Sequence, residues 1–475
     1  MLAKQRSHAM LRAVNASETP IADKPSGQEP PRLLTRPPGP ESRSRAVRHA
    51  HVAAPMGPSA LAREGSTKPA FPVVLAHGAG SNVSDVDGNR YVDLAGGFGS
   101  LLIGHGHPSV LRMLQFQSQR LLQALGDVYP SEPKIALMEQ LTELYPYPAQ
   151  VLLGQSGSDA ISAALKTAVL YTRRPGVLAF SGAYHGLGYG PLAACGLRPS
   201  YREPFAHQLN GHVRFLTYPP DSATLGGVLA AAQKELAQGD VGAVLVEPIL
   251  GRGGVLVPPA EFLPELGHLC TRHGALLVAD EVWTGLGRSG SMLSSTEGCV
   301  PDLVCLGKGL GGGLPISALV GRREVMQSWR QPAEVVHTAT FAGAPLACAA
   351  ALATLDVLRR ERLPERAREL GGRFHHALTA AISAHPLAPS VRGAGLMLGI
   401  DLAARPGAGA ALAQRLLERG YITSTGGGER EVLVLTPPLN IAEELLFGFL
   451  PALCEALDEL ARMPAFGATA ATRSP

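Results

Sequence analysis

Three short apolar runs end in three side chains that carry chemistry. Val241–Val246 runs into Glu247, Ala275–Ala279 into Asp280, and Leu303–Leu306 through Gly307 into Lys308. A run apolar at every position suits a strand buried on both faces, as in a parallel sheet covered by helices. Further runs at Val177–Phe180, Val213–Thr217 and Ser317–Val320 alternate with helical stretches such as Thr224–Gln238 and Pro259–His273. This alternation predicts an α/β domain with a mostly parallel sheet. In such a sheet the strands' carboxyl ends share an edge, and ligands bind outside it. Glu247, Asp280 and Lys308 are therefore expected to converge on one crevice.

Each of the three suits a task there. Burial disfavours the ammonium form of a lysine and leaves a neutral, nucleophilic amine at Lys308. The glycines around it, Gly307, Gly309 and Gly311–Gly313, would let a bulky ligand approach the backbone. An exposed lysine in a loose glycine turn is the alternative reading of that stretch. A buried acid at Asp280 needs a partner, which a protonated pyridine nitrogen or an arginine would supply.

Two other segments belong to the same edge. Gly154-Gln155-Ser156-Gly157-Ser158-Asp159 precedes a helix whose apolar stripe is Ile161, Ala164, Leu165, Ala168 and Val169. Backbone N–H groups and hydroxyls at a helix start suit a phosphate; simple N-capping by Ser or Asp explains the same residues. Ala183-Tyr184-His185-Gly186 follows a predicted strand. Its aromatic could stack on a flat ring or merely pack in the core.

The rest of the chain sets bounds. With 475 residues it can bury a large core and form more than one lobe. A formal charge of +3 gives no reason to expect nucleic acid or an acidic membrane as partner, and no apolar run is long enough to cross a bilayer. The six cysteines lie far apart without a CxxC pair, as reduced thiols in a reducing compartment do, and no metal is expected. Residues 1–68, rich in Arg, Pro, Ser and Ala, are expected to be disordered; a transit peptide or an early start ahead of Met56 are alternatives. Residues 69–125, with a hairpin turning at Asp87-Gly88-Asn89, and 346–463 are expected to form a small α+β domain. Residues 126–345 form the large domain, and 464–475 a flexible tail.

From about Phe71 to Leu460 the chain resembles the class III pyridoxal-phosphate-dependent aminotransferases, the family of 4-aminobutyrate, ornithine and acetylornithine aminotransferases. The resemblance is carried by Gly104-His105-Gly106-His107-Pro108, Ser156-Gly157-Ser158-Asp159-Ala160, Tyr184-His185-Gly186, Glu247-Pro248-Ile249, Asp280-Glu281-Val282, Gly287-Arg288-Ser289-Gly290, Gly307-Lys308-Gly309, Thr340-Phe341 and Val391-Arg392-Gly393. Their order along the chain, more than any one piece, makes the match specific.

The resemblance implies fold type I and pyridoxal 5′-phosphate as cofactor. It implies that Lys308 forms a Schiff base with the cofactor and then moves a proton, while Asp280 pairs with the ring nitrogen. Ser156, Gly157 and Ser158 would hold the phosphate, Tyr184 would stack on the ring with His185 and Glu247 beside it, and Val282 would pack on the other face. Thr340 would reach the phosphate of a neighbouring subunit, which implies a homodimer with shared sites. Arg392 would bind a substrate carboxylate. The implied reaction passes nitrogen from an amino acid or amine, an ω-amino acid such as 4-aminobutyrate being preferred, to a 2-oxo acid such as 2-oxoglutarate. The expected location is the cytoplasm.

The chain departs from the family pattern near the substrate. Leu187 stands where an arginine is common, Arg252 where 4-aminobutyrate and ornithine enzymes carry a glutamate, Trp283 where glutamine is usual, and Ala344 where asparagine is common. Arg252 is expected either to recognise an anionic group or to point to solvent. The alternative to anion recognition by Arg252 is a pocket reshaped by Trp283 and Phe98. A mutase, racemase or decarboxylase on this scaffold, and an idle cofactor-binding module, are the alternatives.

Overall fold

The computed structural model describes residues 26–54, 72–126, 128–296, 298–402 and 405–463. Its centre is a seven-stranded sheet. In spatial order the strands are Ala149–Gly154, Ser317–Arg322, Leu303–Leu306, Leu276–Asp280, Val241–Val246, Gly176–Phe180 and Val213–Leu216. Neighbours pair in parallel from Leu303–Leu306 through to Val213–Leu216. Ser317–Arg322 is antiparallel to both its neighbours, so Ala149–Gly154 again points the same way as the parallel set.

The strands Gly176–Phe180, Val241–Val246, Leu276–Asp280 and Leu303–Leu306 are buried at every position. Alternate residues serve opposite faces, as the two-residue period of a strand requires. Val244 and Val246 pack with Phe262 and Leu266 of the helix Phe262–His273. Ala243 and Leu245 pack with Ile161 and Ala164 of the helix Gly157–Thr172. Burial on both faces is what produced the continuous apolar runs in the sequence.

Two further four-stranded sheets flank this layer. One carries the hairpin Asn82–Asp85 and Arg90–Asp93, joined in parallel by Tyr421–Ile422 from the C-terminal third. The other carries Ser390–Ala394, Met397–Asp401, Val432–Leu435 and Ser424–Gly426. The helix Pro345–Arg360 is almost entirely buried and packs on the helices Pro108–Ser118 and Glu132–Thr142.

Within the stretch expected to be disordered, residues 26–54 are instead packed and include the helix Pro40–Val52. Side chains of the hairpin turn explain this. Asn89 Oδ1 accepts from the backbone of Leu34 and Thr35 at 2.7 and 2.8 Å. Asp87 accepts from the Glu41 and Ser42 N–H groups, a carboxylate at the positive end of the helix. The segment gains its hydrogen bonds from distant residues, which composition does not reveal. The disorder expected for 1–25 and 55–68, and the tail 464–475, fall outside the described residues.

Candidate active site

The carboxyl edge of the sheet opens into a cavity of about 240 Å³. Ser156, Gly157 and Ser158 line it after the strand Ala149–Gly154, and Tyr184, His185 and Leu187 after Gly176–Phe180. Glu247 and Arg252 enter after Val241–Val246, Asp280, Val282 and Trp283 after Leu276–Asp280, and Lys308 after Leu303–Leu306. The convergence expected from the strand ends is present.

Ser156 is the N-cap of the helix Gly157–Thr172, and its hydroxyl accepts from the Asp159 N–H in a reciprocal capping box. The capping reading thus holds for its side chain. The first-turn N–H groups of Gly157 and Ser158 have no partner within the helix and sit at its positive end, which suits an anion. Packing here leaves no room for larger residues: a Cβ on Gly186 would lie 2.0 Å from Ser158 Oγ, and one on Gly157 2.9 Å from Val282 Cγ1.

Asp280 is buried. Its Oδ1 accepts from the Val282 N–H at 3.0 Å, and its Oδ2 lies 2.7 Å from His185 Nδ1. His185 Nε2 is buried and has no hydrogen-bond partner among the described residues. Glu247 is also buried; its two oxygens accept from the N–H groups of Tyr184 and Gly251, at 2.8 and 2.9 Å. Burial pushes the Glu247 carboxyl up to about 7, with His185 opposing the rise and Asp280 adding to it. One carboxylate thereby fixes the loops that carry Tyr184 and Arg252.

Lys308 has a φ of +37°, in the region a side chain rarely adopts. Burial lowers its pKa; Asp280 and Glu247 oppose that shift, and Arg252 reinforces it. The direction is the one expected from the sequence, burial working against the charged form. Its Nζ lies 4.7 Å from the centroid of the Trp283 ring. Trp283 is slotted between two glycines: a Cβ on Gly99 would fall 2.3 Å from its Nε1, and one on Gly251 2.4 Å from its Cε3.

The remaining expected residues are placed differently. Arg252 lies over the Tyr184 ring at 4.9 Å, so it is turned into the cavity and not to solvent. Arg392 does not line the cavity; it donates to Gly254 O at 2.6 Å and pairs with Asp401 at 2.5 Å. Phe98 is 63 % exposed and does not line the cavity; it and Gly97 have positive φ angles. Thr340 is exposed and is not among the residues lining this cavity; Gln123 Nε2 donates to its carbonyl at 2.6 Å. Gly99, Gly251 and Asp401 shape the site without having been singled out in the sequence. Glycine spacing around Trp283 and the hairpin register across from Arg392 are the features that point to them.

The residues fit the cofactor expected from the sequence. A helix N-terminus can bind its phosphate, buried Asp280 can hold a proton on its ring nitrogen, and Lys308 brings a buried amine into the same cavity. When bound, pyridoxal phosphate supplies the electron sink that stabilises negative charge on a substrate carbon.

Comparison with known proteins agrees. The family model for class-III aminotransferases matches residues 64–457. The acetylornithine aminotransferase of Mycobacterium tuberculosis is 40 % identical over 396 residues, covering 83 % of this chain and 94 % of that protein. The 4-aminobutyrate aminotransferase of the same organism is 35 % identical over 462 residues, covering 91 % and 99 %. Among solved structures, an amine transaminase from an uncultivated Pseudomonas species in its cofactor-bound form superimposes with a TM-score of 0.78 at 30 % identity, covering 87 % of this chain and 98 % of that one. The matched family model and these similarities, on a site where a lysine and a buried aspartate meet at the strand ends, lead to one assignment: the chain belongs to the class-III aminotransferases, pyridoxal-phosphate-dependent transaminases of fold type I.

Proposed function

We propose that the amino donor carries a carboxylate away from its reacting amine, as ω-amino acids such as 4-aminobutyrate do, and that the acceptor is a 2-oxo acid such as 2-oxoglutarate. The observation that carries this reading is Arg252. Its guanidinium faces the cavity over Tyr184 and, among the described residues, makes no hydrogen bond or ion pair. A half-buried cation without a counter-ion is costly until a substrate anion supplies one, and arginine grips carboxylates with two parallel hydrogen bonds.

The chain's own residues divide the work. Lys308 Nζ takes the proton from the substrate carbon and returns it during the second half of the cycle. Asp280, oriented by His185 and the Val282 N–H, holds the proton on the ring nitrogen. Gly157 and Ser158 bind the phosphate through the helix N-terminus, and Tyr184 and Val282 pack on the ring. Trp283 closes one wall beside the amine.

The working unit is a homodimer with shared sites. Thr340 lies on an exposed apolar surface that includes Leu125, Tyr129, Val335 and Phe341, each at least 59 % exposed. Such a patch fits a protein interface. Among the described residues no helix is long and apolar enough to cross a membrane, and free thiols suit the cytoplasm.

Steady-state rates with 2-oxoglutarate test the donor class. A carboxylate-bearing ω-amino acid should exceed its chain-matched uncharged amine in kcat/KM by about tenfold or more. Arg252→Ala should erase that advantage by raising KM while keeping the bound cofactor's absorbance. Equal rates for charged and uncharged donors would contradict the reading.

A further inference from the structure

The turn that carries Arg252 is held from both sides. Leu250 and Leu256 pair across it, with hydrogen bonds of 2.9 and 3.2 Å, so that Gly251, Arg252, Gly253 and Gly254 stand out as a tight loop. On the large-sheet side, Glu247 accepts from the Gly251 N–H at 2.9 Å. On the other side, the Gly427 N–H donates to Arg252 O at 2.9 Å, and Arg392 Nε donates to Gly254 O at 2.6 Å.

Two of the three guanidinium nitrogens of Arg392 are engaged, Nε with Gly254 O and Nη1 with Asp401. Arg392 sits on the hairpin strand Ser390–Ala394 opposite Gly399, and Asp401 is its diagonal neighbour on the same face. Asp401 Oδ2 lies 2.5 Å from Arg392 Nη1. The third corner of the guanidinium faces the turn itself: a Cβ on Gly254 would come within 2.7 Å of Arg392 Nη2. Arg252, by contrast, lines the cavity and has no counter-ion among the described residues.

We propose that the two arginines have exchanged roles relative to the sequence expectation. Arg252 grips the substrate carboxylate, and Arg392, locked by Asp401, is a positioning residue that seats the Arg252 turn at the cavity wall. The inference rests on the anionic-substrate reading given above. It has a consequence of definite sign. If Asp401 serves to lock a brace, removing its charge loosens the turn and weakens anion binding. If Asp401 instead restrains an arginine that must swing to the substrate, removing its charge frees that arginine and strengthens binding.

The test is calorimetric titration of the cofactor-loaded enzyme with glutarate, a dicarboxylate that has no amine to react. Arg252→Ala should weaken binding by about tenfold or more. Asp401→Asn and Arg392→Lys should each weaken it by roughly threefold to tenfold. In the Arg252→Ala background neither should matter further, because both act through Arg252. Melting temperature and cofactor absorbance, measured alongside, identify any variant that fails to fold, and the Asp401→Asn result alone still decides the sign. Tighter glutarate binding in Asp401→Asn, or a further loss on adding Arg392→Lys to Arg252→Ala, overturns the role exchange while leaving the anionic-substrate reading intact. A wild-type enzyme that ignores glutarate and prefers uncharged amines overturns both.

Discussion

His185 Nδ1 stands 2.7 Å from Asp280 Oδ2, and neither side chain has appreciable contact with solvent. A buried carboxylate held in this way has a fixed orientation to offer a ring nitrogen. Asp280→Asn keeps the shape and removes the charge. It should slow both half-reactions by about a hundredfold or more. His185→Gln keeps a polar group against Asp280 and should slow them by roughly tenfold. Single-turnover rates followed by cofactor absorbance check both values, and an Asp280→Asn enzyme of normal rate would refute the assigned role.

Trp283 can lie beside Lys308 only because Gly99 and Gly251 lack side chains. Gly251 does not have a positive φ, so Gly251→Ala is a purely steric change: its Cβ would meet Trp283 Cε3 at 2.4 Å. Overpacking of this kind should cost about 1–3 kcal/mol and lower kcat by displacing the indole. Trp283→Phe in the same chain should recover part of both losses. Thermal melting and kcat for the two variants are the measurements.

Glu247 sets a pH dependence of stability in the cofactor-free protein. Burial raises its folded-state pKa to about 7 from an ordinary value of 4.5. Between those values the folded state binds more protons than the unfolded one, so stability falls as pH rises through this window. The ionised cost is then fully present above about pH 7. Relative to Glu247→Gln, the wild type should lose on the order of 3 kcal/mol between pH 4.5 and 7. Denaturant unfolding of both proteins across that range measures it; parallel curves would show that folding leaves the Glu247 pKa at its ordinary value.

Thr340 is expected to serve the phosphate of the partner subunit. Thr340→Ala should therefore leave a dimer of twice the chain mass in light scattering and raise the cofactor's dissociation constant by about tenfold. A monomeric wild type, or unchanged cofactor affinity in the variant, would remove the shared-site proposal.

The crevice was legible in the sequence because strands buried on both faces leave continuous apolar runs, and the side chain ending each run stands out. The strand Ala149–Gly154 was not legible: Gln150 interrupts a run without aromatic residues, and only pairing with Ser317–Arg322 makes it a strand. Residues 26–54 were missed because their order comes from Asn82, Asp87 and Asn89, more than forty positions away. The role of Arg392 was read from its motif, whereas its partners Gly254 and Asp401 lie in separate segments brought together by the hairpin register. Local patterns carry the sheet and its edge; contacts between distant segments determine which arginine is available to a ligand.

The most direct test of the central claim is the visible absorbance band of the cofactor-loaded enzyme. A carboxylate-bearing ω-amino acid added without acceptor should bleach the band, and 2-oxoglutarate should restore it. Lys308→Ala should do neither at a measurable rate, a loss of about a thousandfold or more. A band that bleaches and returns at the normal rate without Lys308 would contradict the account.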